Sequence, residues 1–158
     1  FRGASSMWWS RRACLLLLAG CGFTPAYGVK SPASGLVGQV LADPPGSRDA
    51  FDFVAALEAQ LGRAETPVFR LAYTIDLSRE GVGITVDGAT TRYTLAGTVT
   101  YVLTRDGARV AGGSVQNFTA FSATGSTVAG LTAEADAHRR LMQILADMVV
   151  RRLVMELA

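Results

Sequence analysis

Along this chain the hydrophobic positions change their rhythm four times. An unbroken apolar block covers Ala13 to Gly20, and a short apolar stretch follows at Leu36 to Leu41. The stretch holds Val37 and Val40 and is stopped by Pro44-Pro45-Gly46, which marks a brief strand. Phe51, Val54, Ala55, Leu57 and Leu61 then fall at helical spacing, with Ser47 or Asp49 as candidate caps and Gly62 as the stop signal. From Phe69 the period drops to two. Phe69, Leu71, Tyr73, Ile75 and Leu77 alternate with Arg70, Ala72, Thr74, Asp76 and Ser78 as in a half-buried strand. A longer strand is predicted over Thr91 to Arg105, with Tyr93, Leu95, Gly97, Val99, Tyr101 and Leu103 on one face and threonines on the other. Asp106-Gly107 signals a hairpin turn. The next strand, Arg109 to Ala123, contains Gly112-Gly113, a sign of a bulge or a close backbone approach.

From Val128 onward helical spacing returns, and Leu131, Ala135, His138, Met142, Leu145, Val149 and Arg152 or Leu153 form one stripe. The predicted order is strand, helix, three antiparallel strands and a long helix. This is an α+β domain over residues 36–158, in which an antiparallel, partly mixed sheet of about four strands carries two helices on one face. Gly81-Val82-Gly83 reads as a turn between strands, and it lacks the lysine and helix start of a phosphate loop.

The amino-terminal block is an address rather than a fold element. Arg11 and Arg12 precede Ala13-Cys14-Leu15-Leu16-Leu17-Leu18-Ala19-Gly20, the positive, apolar, small layout of a signal peptide. The block falls well short of the ~20 residues that cross a bilayer. Leu18-Ala19-Gly20-Cys21 looks like a bacterial lipobox, in which the Cys21 thiol takes a diacylglycerol, residues 1–20 are cut away, and the new amino group is acylated. Several acyl chains together anchor stably where a single one does not. Residues 21–35 then form a tether containing Pro25, Pro32, Ser34 and Gly35. Cys14 leaves with the signal and Cys21 is taken by lipid, so the processed chain keeps no free thiol and forms no disulfide.

Charge narrows the function classes. With Arg2, Arg11 and Arg12 set aside, the 15 basic residues fall to 12 against 13 acidic ones, a net charge of −1. A general nucleic-acid binder needs a positive excess, so no nucleic-acid partner is expected. His138 is the only histidine, which excludes a histidine-rich metal site and leaves any Ser–His–Asp or Cys–His mechanism dependent on that residue. It lies within a helical run with no nucleophile motif nearby, as a boundary histidine would. Glu134 and Asp136 are two apart on a helix and point in different directions, a poor acid–base pair. No catalytic residue, metal site or cofactor is expected beyond the lipid on Cys21.

Cys21-Gly22-Phe23-Thr24-Pro25-Ala26-Tyr27-Gly28 resembles the start of the lipopolysaccharide-assembly lipoprotein family, LptE, in its alphaproteobacterial form. The resemblance resumes at Arg92-Tyr93-Thr94-Leu95, Tyr101 and Leu103. It ends in the helix with Glu134, Ala137, Arg139-Arg140-Leu141, Leu145-Ala146-Asp147 and Arg152-Leu153. It implies a lipid-anchored outer-membrane protein seated in the lumen of the β-barrel LptD as a 1:1 complex. Such a protein assists barrel assembly, plugs the lumen and helps deliver lipopolysaccharide to the outer leaflet. Arg70, Arg92 and Arg105 are candidates for lipopolysaccharide contact, because guanidinium forks suit lipid phosphates. The alternative is that they are solvated charges or partners of Asp76, Asp87 and Asp106. A general periplasmic lipoprotein adaptor of another lipid-transport or barrel-assembly machine shares the same anchor, size and fold class.

Overall fold

The structure, a computed structural model, describes residues 35–84, 88 and 90–157. The signal-like block, Cys21 and the tether up to Ser34 lie outside the described residues. Strand β1 (Val40–Ala42) leads to helix α1 (Arg48–Leu61), then to β2 (Phe69–Ile84), β3 (Thr90–Arg105), β4 (Ala108–Ser122) and helix α2 (Thr127–Glu156). The sheet order is β1-β2-β3-β4. β1 runs parallel to β2, while β2, β3 and β4 form an antiparallel meander. Both helices pack on one face, so the fold is α+β with a mostly antiparallel, mixed sheet.

Local chemistry sets most boundaries. The Ser47 side chain accepts a hydrogen bond from the Ala50 N–H at 3.1 Å and caps α1, while the Gly62 N–H donates to Glu58 O at 2.8 Å and closes it. Asp106 and Gly107 have φ values of 51° and 81°, as both central residues of a two-residue hairpin turn of this hand require. β1 is shorter than the sequence predicts. Its expected first residues form a turn in which Gln39 N–H donates to Leu36 O at 3.1 Å and Gly38 takes φ 70°, and the parallel pairing with β2 begins only at Val40, opposite Phe69.

Three further expectations are corrected. Gly81-Val82-Gly83 is not a turn, because β2 continues through it to Ile84 with register shifts on either side of Gly83. Val82 is the residue left without a partner there, as in a bulge. A Cβ at Gly81 would lie 2.8 Å from Thr90 Cγ2, so the missing side chain lets the strands stay together. In α1 the buried stripe is Ala50, Phe53, Leu57 and Leu61, and Phe51 is 62% exposed. The helix is turned so that Phe53 meets Tyr73, ring centroids 5.1 Å apart. In α2 the buried residues begin only at Ala137 and then form a broad band through Leu141, Met142, Leu145, Ala146, Val149, Val150 and Leu153. Leu131 is exposed, because the first turns of α2 run past the end of α1 and have only the sheet beneath them.

The core lies between β2–β3–β4 and the two helices. Leu71, Leu95, Val99, Tyr101 and Leu103 meet Phe53, Leu57, Leu141, Leu145 and Leu153 there. Each such side chain contributes about 1.5–3 kcal/mol on burial. Gly97 leaves room for α2 to pack close to the sheet, since a Cβ there would come within 2.9 Å of Leu77 on β2 and 3.0 and 3.1 Å of Leu141 and Leu145 on α2. A Cβ at Gly112 would lie 2.9 Å from the Tyr101 carbonyl oxygen, the close backbone approach expected for the glycine pair, while the register shift between Leu103 and Thr104 leaves Val110 without a partner. The opposite sheet face carries no described element.

Candidate functional site

Three long strands outrun α1. β2, β3 and β4 have 16, 16 and 15 residues, so each extends about 50 Å. α1 covers only the half of the sheet near Phe69 and Arg105. At the other end, the inward-facing residues of the strands meet the first turns of α2 alone.

There the side chains build a cleft of about 300 Å³. Tyr93 and Phe121, neighbours across β3 and β4, stack with centroids 5.4 Å apart and form an aromatic floor. Arg79 of β2 lies over the Tyr93 ring at 5.0 Å and bonds Glu134 Oε1 at 2.5 Å. Leu131 and Gly130 of α2 form the opposite wall, with Ser126 capping the helix by accepting the Ala129 N–H at 3.3 Å. The result is an apolar floor under a paired charged rim, open to one side. Such a cleft can hold a group, and its one carboxylate, Glu134, is engaged by Arg79. The strand alternation read from sequence stops at Ser78, one residue short of Arg79. The odd-numbered rhythm continuing through Arg79 and Gly81 was the signal for its inward position.

The three arginine candidates do not form one site. Arg70 and Arg105 sit near the hairpin end. There Arg70 Nε donates to Asp43 Oδ1 at 2.6 Å, and Arg105 lies 5.7 Å over the Phe69 ring and 3.9 Å from Asp106. The partner of Arg70 is thus Asp43, not Asp76. This bond and the Asp43 charge push the Arg70 pKa further up, and the group stays cationic. Arg92 lies thirteen residues along β3 from Arg105, about 43 Å away, exposed opposite Ser122 of β4.

His138 is a half-buried boundary residue. Its Nδ1 lies 2.8 Å from Asp49 Oδ1, tying the first turn of α1 to the middle of α2. Among the described residues no three histidine, cysteine or carboxylate groups gather as a metal site, and no helix is long and apolar enough to cross a membrane.

No curated protein sequence matches this chain. Solved structures share the fold at low identity. A lipoprotein from Caulobacter crescentus aligns with a TM-score of 0.67 at 20% identity, over 80% of this chain and 95% of that one. The rare lipoprotein B of Shewanella oneidensis aligns at 0.55 and 12% identity, over 72% and 89% of the two chains. A minor lipoprotein of Acinetobacter baumannii aligns at 0.54 and 16%, over 74% and 89%. The LptE family model, described as lipopolysaccharide-assembly, matches residues 39–153, which takes in every element from β1 to the last turn of α2. This chain belongs to the LptE family of lipopolysaccharide-assembly proteins.

Proposed function

We propose that this chain is the lipoprotein subunit of the lipopolysaccharide translocon, anchored to the outer membrane through lipid on Cys21 and seated in the lumen of the LptD barrel. There it assists barrel assembly, plugs the lumen and helps deliver lipopolysaccharide to the outer leaflet, without catalysis. The observation that carries this reading is the family match over residues 39–153, a family of non-enzymatic proteins acting in lipopolysaccharide assembly. The lipobox-like Leu18-Ala19-Gly20-Cys21 supports the anchor. Gly22 after the cysteine departs from the aspartate that retains lipoproteins in the inner membrane of enteric bacteria, which favours the outer one. Arg70, Arg92 and Arg105 are proposed as phosphate contacts at the two ends of the sheet, acting separately rather than as one pocket.

A tagged full-length protein, expressed in its native host and extracted from outer membranes in mild detergent, tests this. A stoichiometric LptD-type barrel is the expected companion. Recovery alone, or with inner-membrane transport components, overturns the plug and leaves the general adaptor. Cys21→Ser is expected to abolish labelling by radioactive palmitate and to move the protein out of the membrane fraction.

A further inference from the structure

The two edges of the sheet are guarded unequally. On β4 the Gly112 N–H donates to Glu156 Oε2 at 3.2 Å and the Phe118 N–H to Asn117 Oδ1 at 2.7 Å, so side chains occupy two outward donors and obstruct an added strand. On the other side β1 covers only Phe69 to Leu71 of β2. There the Phe69 N–H donates to Gln39 O at 3.0 Å and Leu71 O accepts from the Asp43 N–H at 2.9 Å, so the odd-numbered residues of β2 turn their backbone groups away from β3. The ladder with β3 keeps one register from Phe69 to Gly81, and the alternation holds over that whole stretch. Tyr73, Ile75, Leu77, Arg79 and Gly81 therefore point their N–H and C=O groups out of the sheet edge, and none of these groups has a partner among the described residues.

This open stretch has definite ends. β1 bounds it before Tyr73, and the bulge at Val82 bounds it after Gly81. Leu77 is its middle residue. An antiparallel copy of the stretch, turned about a two-fold axis at Leu77, sets Tyr73 against Gly81, Ile75 against Arg79 and Leu77 against itself. That makes up to about ten backbone hydrogen bonds with no overhang. Charge selects this register. On the outer face Asp76 then meets Ser78 and Glu80 meets Thr74, all four exposed. An axis at Asp76 puts that carboxylate against itself, and one at Ser78 puts Asp76 against Glu80, like charges directly opposed. An axis at Ile75 drives the copy's Arg79 into the place beside Leu71 that β1 holds, and one at Arg79 runs the pairing through the bulge. Shape agrees with charge. A cavity of about 230 Å³ lined by Asp43, Pro44, Ser47, Ala50, Tyr73 and Ile75 leaves room beside Tyr73, where Gly81 of the copy arrives without a side chain.

We infer that two copies of this chain associate through the β2 edge Tyr73–Gly81, antiparallel about a two-fold axis at Leu77, joining two four-stranded sheets into one. Such a contact uses the same surface on both copies and closes on itself, so it consumes both open edges and stops at the pair. On the helix side the half-buried Leu77 meets its own mate across the axis. Edge pairing of this length is small beside an obligate interface, and the dimer is a reversible one. The inference concerns the chain apart from any barrel and does not depend on the translocon reading.

The test uses the full lipoprotein, purified in mild detergent without a barrel, and reads its sedimentation equilibrium at matched detergent density. Ser78 is exposed and faces the uncharged Ala96 on β3, so a charge placed there spares the single copy and meets Asp76 of the second copy twice over. Expected is a reversible monomer–dimer equilibrium. Ser78→Asp is expected to loosen it about threefold or more and Ser78→Lys to tighten it about threefold or more, in proteins that melt like the parent. A parent that stays monomeric up to about 200 µM overturns the inference. A dimer that the two variants leave unchanged, or shift in one direction, forms through another surface and overturns it as well. Assemblies beyond two copies do the same, because a two-fold contact ends at the pair. A second measurement needs no substitution. Amide exchange at Ile75 and Leu77 is expected to slow as protein concentration rises, while Thr74 and Asp76, bonded into the β3 ladder, are protected at every concentration. Exchange at Ile75 and Leu77 that ignores concentration overturns the inference.

Discussion

Arg79 and Glu134 meet at 2.5 Å although 55 residues separate them, and Tyr93 supports the guanidinium from below at 5.0 Å. This one contact joins the overhanging ends of β2 and β3 to the part of α2 that has no second helix beside it. Side-chain exposures of 51% and 28% limit the ion pair to about 0.5–1 kcal/mol. A double-mutant cycle with Arg79→Ala and Glu134→Ala is expected to return a coupling in that range that shrinks in 0.5 M salt. Arg79→Ala alone is expected to cost more than Glu134→Ala, because it also removes the contact with Tyr93. Urea titration of the four proteins measures both.

Gly97 is required by packing rather than by backbone conformation. Its missing Cβ lies where Leu77, Leu141 and Leu145 converge. Gly97→Ala is expected to destabilise by about 1–2 kcal/mol and Gly97→Val by about 3 kcal/mol, since overfilling a packed core forces shifts on both layers. Thermal melts followed by circular dichroism check the order, and equal stability of all three proteins would remove the close-approach account.

Tyr101 is fully buried, and its hydroxyl finds no hydrogen-bond partner among the described residues. Burial, then the Glu156 charge, push its pKa above the usual tyrosine value, with Arg152 pulling the other way. A folded-state pKa raised above the unfolded one means stability fully present below about pH 10 and lost as pH climbs beyond it, because the unfolded chain ionises first. Tyr101→Phe is therefore expected to be neutral or to gain about 0.5–1 kcal/mol at pH 7. It is also expected to flatten the decline above pH 10. Urea midpoints across pH 8–11 decide it.

Ser47 caps α1, whose first turn carries Asp49, the partner of His138. Ser47→Ala is expected to cost about 1 kcal/mol. Asp49→Ala is expected to loosen α1 against α2 without changing the sheet. Hydrogen exchange should then rise at Ala50 to Val54 and stay constant in β3.

Much of the fold was legible because its signals are local. The alternation from Phe69 to Leu77, the Asp106-Gly107 turn, Ser47 as cap and Gly62 as stop all act within a few residues, and each appears where the pattern put it. The errors cluster where a distant element decides. Phe51 and Phe53 both fit a helical stripe, and only Tyr73 on β2 selects Phe53. Leu131 fits the α2 stripe but finds no second helix above it. Gly81-Val82-Gly83 has the composition of a turn, yet close contact with Thr90 and Thr91 keeps it in the ladder.

By itself, then, the sequence determined the kinds of element, their order and the uncharged lengths of β3 and β4, since periodicity, capping and composition are carried by neighbouring residues. Tertiary structure alone decided how far the strands overrun α1, which arginines share an end of the sheet, and that Arg79, Tyr93, Phe121 and Glu134 enclose a cleft. Those outcomes depend on the rotation of two helices over one sheet. That rotation is set by packing many side chains at once, with Gly97 leaving space for Leu141 and Leu145 against the sheet.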